Sequence, residues 1–148
     1  MFTDTLLAIL HHVLVFALLA MLTAELMLVR PGLRRDVLGR LSGIDGAYGG
    51  IAAALILVGI ARVIWGIRGW DYYADNPWFW AKMIVFVAVG AISALPTMRY
   101  GAWRRAAAAV PDYEVPAAEI SRVRGLIHAQ LGLFVLIPVF AAIMARYY

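Results

Sequence analysis

The sequence predicts an all-α fold, a bundle of four membrane-spanning helices, from three observations. The chain of 148 residues is 64% hydrophobic and only 15% charged, with mean hydropathy +0.83; soluble domains carry about a quarter charged residues. Its apolar residues gather into four stretches of about 20 residues or more, enough to cross ~30 Å of hydrocarbon at ~1.5 Å per residue. None of them shows the polar face that a water-exposed helix needs. The expectation is one transmembrane domain over residues 1–148, with helices at about 5–29, 45–67, 77–98 and 120–145.

The first stretch holds one carboxylate, Glu25, and two of the three histidines, His11 and His12. It does not read as a cleaved signal peptide, because it lacks a basic start and a small-x-small site and its apolar run is too long. The second stretch is broken only by Arg62. The third carries Lys82 near its start, and the fourth contains His128 and Gln130. Between the last two, Pro111 and Pro116 bracket Asp112, Tyr113 and Glu114. Residues 106–118 therefore read as a linker or a short surface segment.

Several function classes drop out early. With no cysteine, thiolate zinc sites, iron–sulfur clusters and Cys–His catalysis are excluded. No phosphate-cradling glycine loop stands out. The net charge of +4 is explained by arginine placement, and no nucleic-acid partner is expected.

That placement predicts topology. Arg30, Arg34, Arg35 and Arg40 lie between the first two stretches, and Arg99, Arg104, Arg105, Arg122 and Arg124 between the last two. The middle connection has only Arg68, offset by Asp71 and Asp75. Basic loops stay in the cytoplasm, so both termini are expected outside. Trp65, Trp70, Tyr72, Tyr73, Trp78 and Trp80, extended by Tyr147 and Tyr148, form an aromatic belt at the outer interface; Tyr100 and Trp103 mark the inner one.

Ionisable groups inside a bilayer are costly and turn towards the protein or a pathway. By depth, His11, His12, Arg62 and Lys82 share the outer half, whereas Glu25 and His128 belong to the inner half. By periodicity, His11, Leu18, Leu22 and Glu25 form one stripe, which Glu25 should turn inward. This favours His11 over His12 as the interior histidine. On helix two, Gly59, Arg62 and Gly66 share a face, and Gly46, Gly50 and Ala54 form a small-residue packing face.

On helix four, Gly125, His128 and Gly132 share a face, with Arg124 a turn below. A histidine between glycines leaves a flat slot for a macrocycle, and a nearby cation pairs with a propionate. These are the needs of a b-type haem. His11 and His128 differ in depth by about 10 Å at ~1.5 Å per residue, too far for one iron. One or two haems per chain are therefore expected, on His11, His12 and His128, with Arg62, Lys82, Arg124, Gly125 and Gly132 beside them. Met83, Met98 or an open position would complete the ligation.

The helix-one histidine, Gly39-Arg40-Leu41, Gly59 and Trp80-Ala81-Lys82-Met83 resemble HemJ-type protoporphyrinogen IX oxidases, small bacterial membrane proteins associated with b-type haem. The likeness covers about the first two-thirds. It implies the helix-one histidine role for His11 or His12, the helix-three lysine role for Lys82, and the basic role before helix two for Arg40. The late helix-three histidine of that family is replaced here by Ser93-Ala94-Leu95-Pro96, so ligation must differ. The whole chain more closely resembles a little-characterised family of bacterial four-helix membrane proteins.

The expected function is a haem-binding protein of the bacterial inner membrane in electron transfer or redox chemistry, linked to quinol or a porphyrinogen. The alternatives are a small transporter or channel and a non-catalytic membrane subunit. Lipid, quinone and further copies of the chain are the expected partners.

Overall fold

The computed structural model describes residues 2–147 and is all-helical among them. Helices α1 (Phe2–Leu28), α2 (Arg35–Trp65), α4 (Pro77–Ala109) and α5 (Ala117–Tyr147) are each long and apolar enough to cross a membrane. A short helix, α3 (Gly69–Ala74), joins α2 to α4. Backbone groups in hydrocarbon must bond internally, which makes helix the only available form for such apolar segments. The side chains of Tyr147 and Tyr148, assigned to the aromatic belt, lie outside the described residues.

The helices pack as a ring. α1 lies on α2, α2 on α4, α4 on α5 and α5 on α1; across the diagonals the backbones stand apart among the described residues, and the Tyr100–Glu25 hydrogen bond spans from α4 to α1. The pairs α1–α2 and α4–α5 are the most extensive. Space is therefore left along the axis, and side chains on the inner faces decide what fills it.

Two helices are longer than their apolar stretches suggest. α2 begins at Arg35 instead of 45, and α4 runs to Ala109 instead of 98. Both extensions lie at the arginine-rich end. Arg35, Arg40, Arg99, Arg104 and Arg105 are exposed there, while the backbone keeps its helical bonds beyond the hydrocarbon. Charge ended the hydropathic signal before it ended the helix.

The arginine-rich end is also where the tightest packing sits. Val29, Leu33, Leu38, Leu41, Trp103 and Ile120 are buried there. Trp103, which the sequence placed at the interface, is only 1% exposed, and its indole N–H donates to Glu119 Oε2 at 2.5 Å. The segment read as a linker contributes as well. Val115 is buried and its N–H donates to the Leu33 carbonyl at 3.3 Å, tying the two basic connections together. Gly32, at φ +81°, supplies the turn between α1 and α2.

At the other end, Asn76 caps α4 by accepting from the Trp78 N–H at 3.0 Å, with Pro77 opening the helix. Asp4 accepts from the Ile67 N–H at 3.3 Å, fastening the start of α1 to the end of α2. Tyr72 bridges Arg68 and the Met144 carbonyl, holding α3 against the end of α5.

This packing predicts a contrast between two tryptophans. Trp103→Ala should lower unfolding stability in detergent by on the order of 3 kcal/mol, from lost core volume and an unpaired Glu119. The same change at exposed Trp65 should shift it by less than about 0.5 kcal/mol. Thermal unfolding followed by circular dichroism checks both.

Candidate functional site

At the arginine-poor end the ring opens around a cavity of about 660 Å³. Its walls are apolar, from residues such as Leu55, Phe86, Phe134 and Ile137. Three groups break that lining: His11 from α1, Arg62 from α2 and Lys82 from α4. The sequence placed these three at one depth, and the structure brings them to one space. Trp70 and Tyr73 of α3 and Phe79 of α4 also line it. Part of the expected aromatic belt thus forms the cavity wall.

The electrostatics are one-sided. No carboxylate lines this cavity among the described residues. His11 Nδ1 and Arg62 Nε are buried without a hydrogen-bond partner. The Lys82 ammonium stands 5.4 Å from the Phe79 ring centroid, a cation–π contact, and has no carboxylate partner among the described residues. A β-carbon built on Gly59 would sit 3.6 Å from His11 Cε1. The imidazole therefore lies close to the α2 backbone at Gly59, where a β-carbon would rest in ordinary van der Waals contact with the ring. Such a cavity suits an elongated apolar ligand with an anionic end and a group that can meet an imidazole nitrogen.

The other sequence candidates lie elsewhere. His12 is exposed, its Nδ1 2.6 Å from the Ala8 carbonyl oxygen. The stripe reasoning that favoured His11 over His12 as the inward histidine agrees with this. Gly125, His128 and Gly132 do share a face, but it is exposed on the outside of the bundle. His128 Nδ1 lies 2.8 Å from the Arg124 carbonyl oxygen, and His128 lines neither this cavity nor the smaller one near the middle of the bundle. The Arg124 guanidinium is engaged with the end of α1, donating to the Leu26 and Val29 carbonyls at 2.9 and 2.6 Å. It caps orphan carbonyls of a helix terminus.

The rest of the inward stripe is where periodicity put it. Leu18 and Leu22 are buried, and Glu25 is 3% exposed with Tyr100 Oη donating to its Oε2 at 3.1 Å. Gln130 is also fully buried, with both amide atoms unpartnered among the described residues. Sequence reasoning missed a second cavity of about 300 Å³, near the middle of the bundle, lined by Asp45, Tyr48 and Thr97 among others. In the sequence Asp45 marks only the start of the second apolar stretch. The spacing of Asp45 and Tyr48, three residues apart on one face, was the signal available.

The fold and these interior polar groups define a polytopic helical membrane protein with an internal cationic cavity. The chain belongs to the family described as "Predicted membrane protein (DUF2214)", whose pattern matches residues 3–147. No curated protein and no solved structure matches the chain.

The placement of Arg124 and His128 predicts opposite effects on stability. Arg124→Gln strips the caps from α1 and should cost about 1–3 kcal/mol. His128→Ala should change stability by less than about 0.5 kcal/mol. Melting of both variants in the same detergent tests the assignment.

Proposed function

We propose that this protein is a b-type cytochrome of the bacterial inner membrane. It holds one haem b in the cationic cavity and passes electrons between a membrane donor such as quinol and an acceptor at the outer surface. The observation that carries the reading is the cavity's chemistry: an imidazole with a free ring nitrogen, two unpaired cations, apolar walls and no carboxylate.

The residues fit a haem on each requirement. His11 would offer an imidazole nitrogen to the haem iron, and Met83, which also lines the cavity, would be the candidate second ligand. Arg62 and Lys82 supply positive charge for two propionates, which would satisfy the orphaned Arg62 Nε. Gly59 sets the α2 backbone close against the imidazole. When bound, the haem would supply one-electron exchange, its potential set by ligation, burial and the nearby cations. The resemblance of Gly39-Arg40-Leu41 and Trp80-Ala81-Lys82-Met83 to HemJ-type proteins points the same way for haem, though not for porphyrinogen oxidation. One haem is favoured over two because His128, Gly125 and Gly132 face out of the bundle and Arg124 is occupied.

Arginine asymmetry supports a cytoplasmic arginine-rich end and outward termini. The cationic cavity then faces the outer leaflet. Association of copies is part of the proposal, through the exposed Gly39 and Gly43 on α2.

Protein purified from haem-replete membranes should show a Soret band that sharpens on dithionite reduction, with one haem per chain by pyridine haemochrome. His11→Ala should lose the haem, Arg62→Met and Lys82→Met should weaken its retention, and His128→Ala should keep it. A colourless protein, or full haem content in His11→Ala, would defeat this reading and leave the subunit and transporter alternatives. Orientation is separately testable, since the chain has no native cysteine. Asp75→Cys should react with an impermeant maleimide from outside intact cells, and Arg104→Cys only after lysis.

A further inference from the structure

The second cavity, of about 300 Å³, lies between α2 and α4 on the arginine-rich side of the first. Phe86 and Phe134 line both cavities, so they form the partition between them. The polar lining comes from four groups. Asp45 and Tyr48 stand three residues apart on α2, and Ser93 and Thr97 four apart on α4. These spacings bring each pair to one face of its helix.

Two of those groups are left with unused capacity. The Thr97 hydroxyl donates to Asp45 Oδ1 at 2.7 Å, with the Ser93 carbonyl oxygen at 3.1 Å. Asp45 Oδ2 has no partner among the described residues. Tyr48 is only 7% exposed, yet its hydroxyl makes no hydrogen bond among the described residues. The Tyr48 side chain is buried and Asp45 half-buried, and a ligand in the cavity could give each the hydrogen bond it lacks. Ser93 is already satisfied by the Gly90 carbonyl at 2.7 Å.

The shape is equally specific. Gly46, Gly49 and Gly90 line the cavity, and a β-carbon on any of them would meet nothing within 4 Å. All three are exposed on the bundle surface, so the mouth opens sideways towards the membrane. The inner walls are Leu18, Val89, Phe86 and Phe134. The lining holds no cation among the described residues, which argues against an anionic ligand.

We propose that this cavity binds the head ring of a lipid-soluble quinol or quinone. A ring hydroxyl or carbonyl sits between Asp45 Oδ2 and the Tyr48 hydroxyl, the ring lies against Phe86 and Phe134, and the isoprenoid tail leaves past the glycines into lipid. The quinol form donates to Asp45 and accepts from Tyr48. The assignment rests on the electron-transfer reading and names the membrane partner of that reading. The shared Phe86–Phe134 wall sets the two sites side by side.

The test uses full-length protein in lipid nanodiscs and a decyl-tailed benzoquinone, in oxidised and reduced form, read by quenching of tryptophan fluorescence. Binding should saturate at one site per chain. Asp45→Asn and Tyr48→Phe should each weaken it about tenfold, the equivalent of one buried hydrogen bond, and Gly90→Leu should abolish it. His128→Ala, on the outside of the bundle, should leave it unchanged. Tyr48→Phe removes a single oxygen, so its loss of affinity cannot be laid to misfolding. Haem content, measured on the same samples, separates the two proposals, because it should be normal in Asp45→Asn and Tyr48→Phe. Non-saturable partitioning, or equal affinity in Tyr48→Phe, Asp45→Asn and Gly90→Leu, would overturn the quinol site whatever the haem content.

Discussion

An ionisable side chain in hydrocarbon must find a partner or an aqueous path, and this one constraint orders the bundle. Glu25 turns α1 so that its carboxyl meets the Tyr100 hydroxyl of α4. Because both are nearly inaccessible, the contact fixes the rotation of α1 relative to α4. The same rotation carries His11, four turns away on the same stripe, into the interior and leaves His12 outside. Arg62 and Lys82 obey the rule by turning into the same cavity as His11. The difference is that these two end without a carboxylate, and an unbalanced cationic pair inside a membrane protein calls for an anion.

The architecture divides the labour between its ends. At the arginine-rich end, Trp103, Leu38, Leu41 and Ile120 pack closely and the two basic connections are bonded through Val115 and Leu33. Arg124 closes the end of α1. Towards the other end the helices stand around an open space, and a cavity replaces side-chain packing. Membrane helices gain little from hiding apolar surface, since lipid is as apolar as the core, so close packing and polar pairing must hold them. A firm end of this kind lets the opposite end stay open without losing the fold.

Much of this was legible in the sequence, for identifiable reasons. Hydropathy over about 20 residues finds a span, and the 3.6-residue period finds a stripe, so His11, Leu18, Leu22 and Glu25 were placed correctly together. Depth counting brought Arg62 and Lys82 to the level of His11. The extended ends of α2 and α4 were hidden because arginine lowers hydropathy without breaking a helix. Periodicity grouped Gly125, His128 and Gly132 but carries no sign, and their face proves to point outward. Pairs made across helices, such as Tyr100 with Glu25 or Thr97 with Asp45, leave no spacing signal in one chain. The second cavity joins such pairs across helices, so the spacing of Asp45 and Tyr48 alone did not reveal it.

The central proposal is that the His11 imidazole would ligate haem iron and is not merely a packing group of the cavity wall. Chemical rescue tests it most directly. His11→Ala protein, expressed without haem and then supplied with haem b, should show a weak, broad Soret band. Added imidazole should restore the wild-type spectrum with saturable dependence, because the vacated space beside Gly59 admits the free base. A wild-type spectrum before imidazole is added, or no response to it at any concentration, would contradict the account.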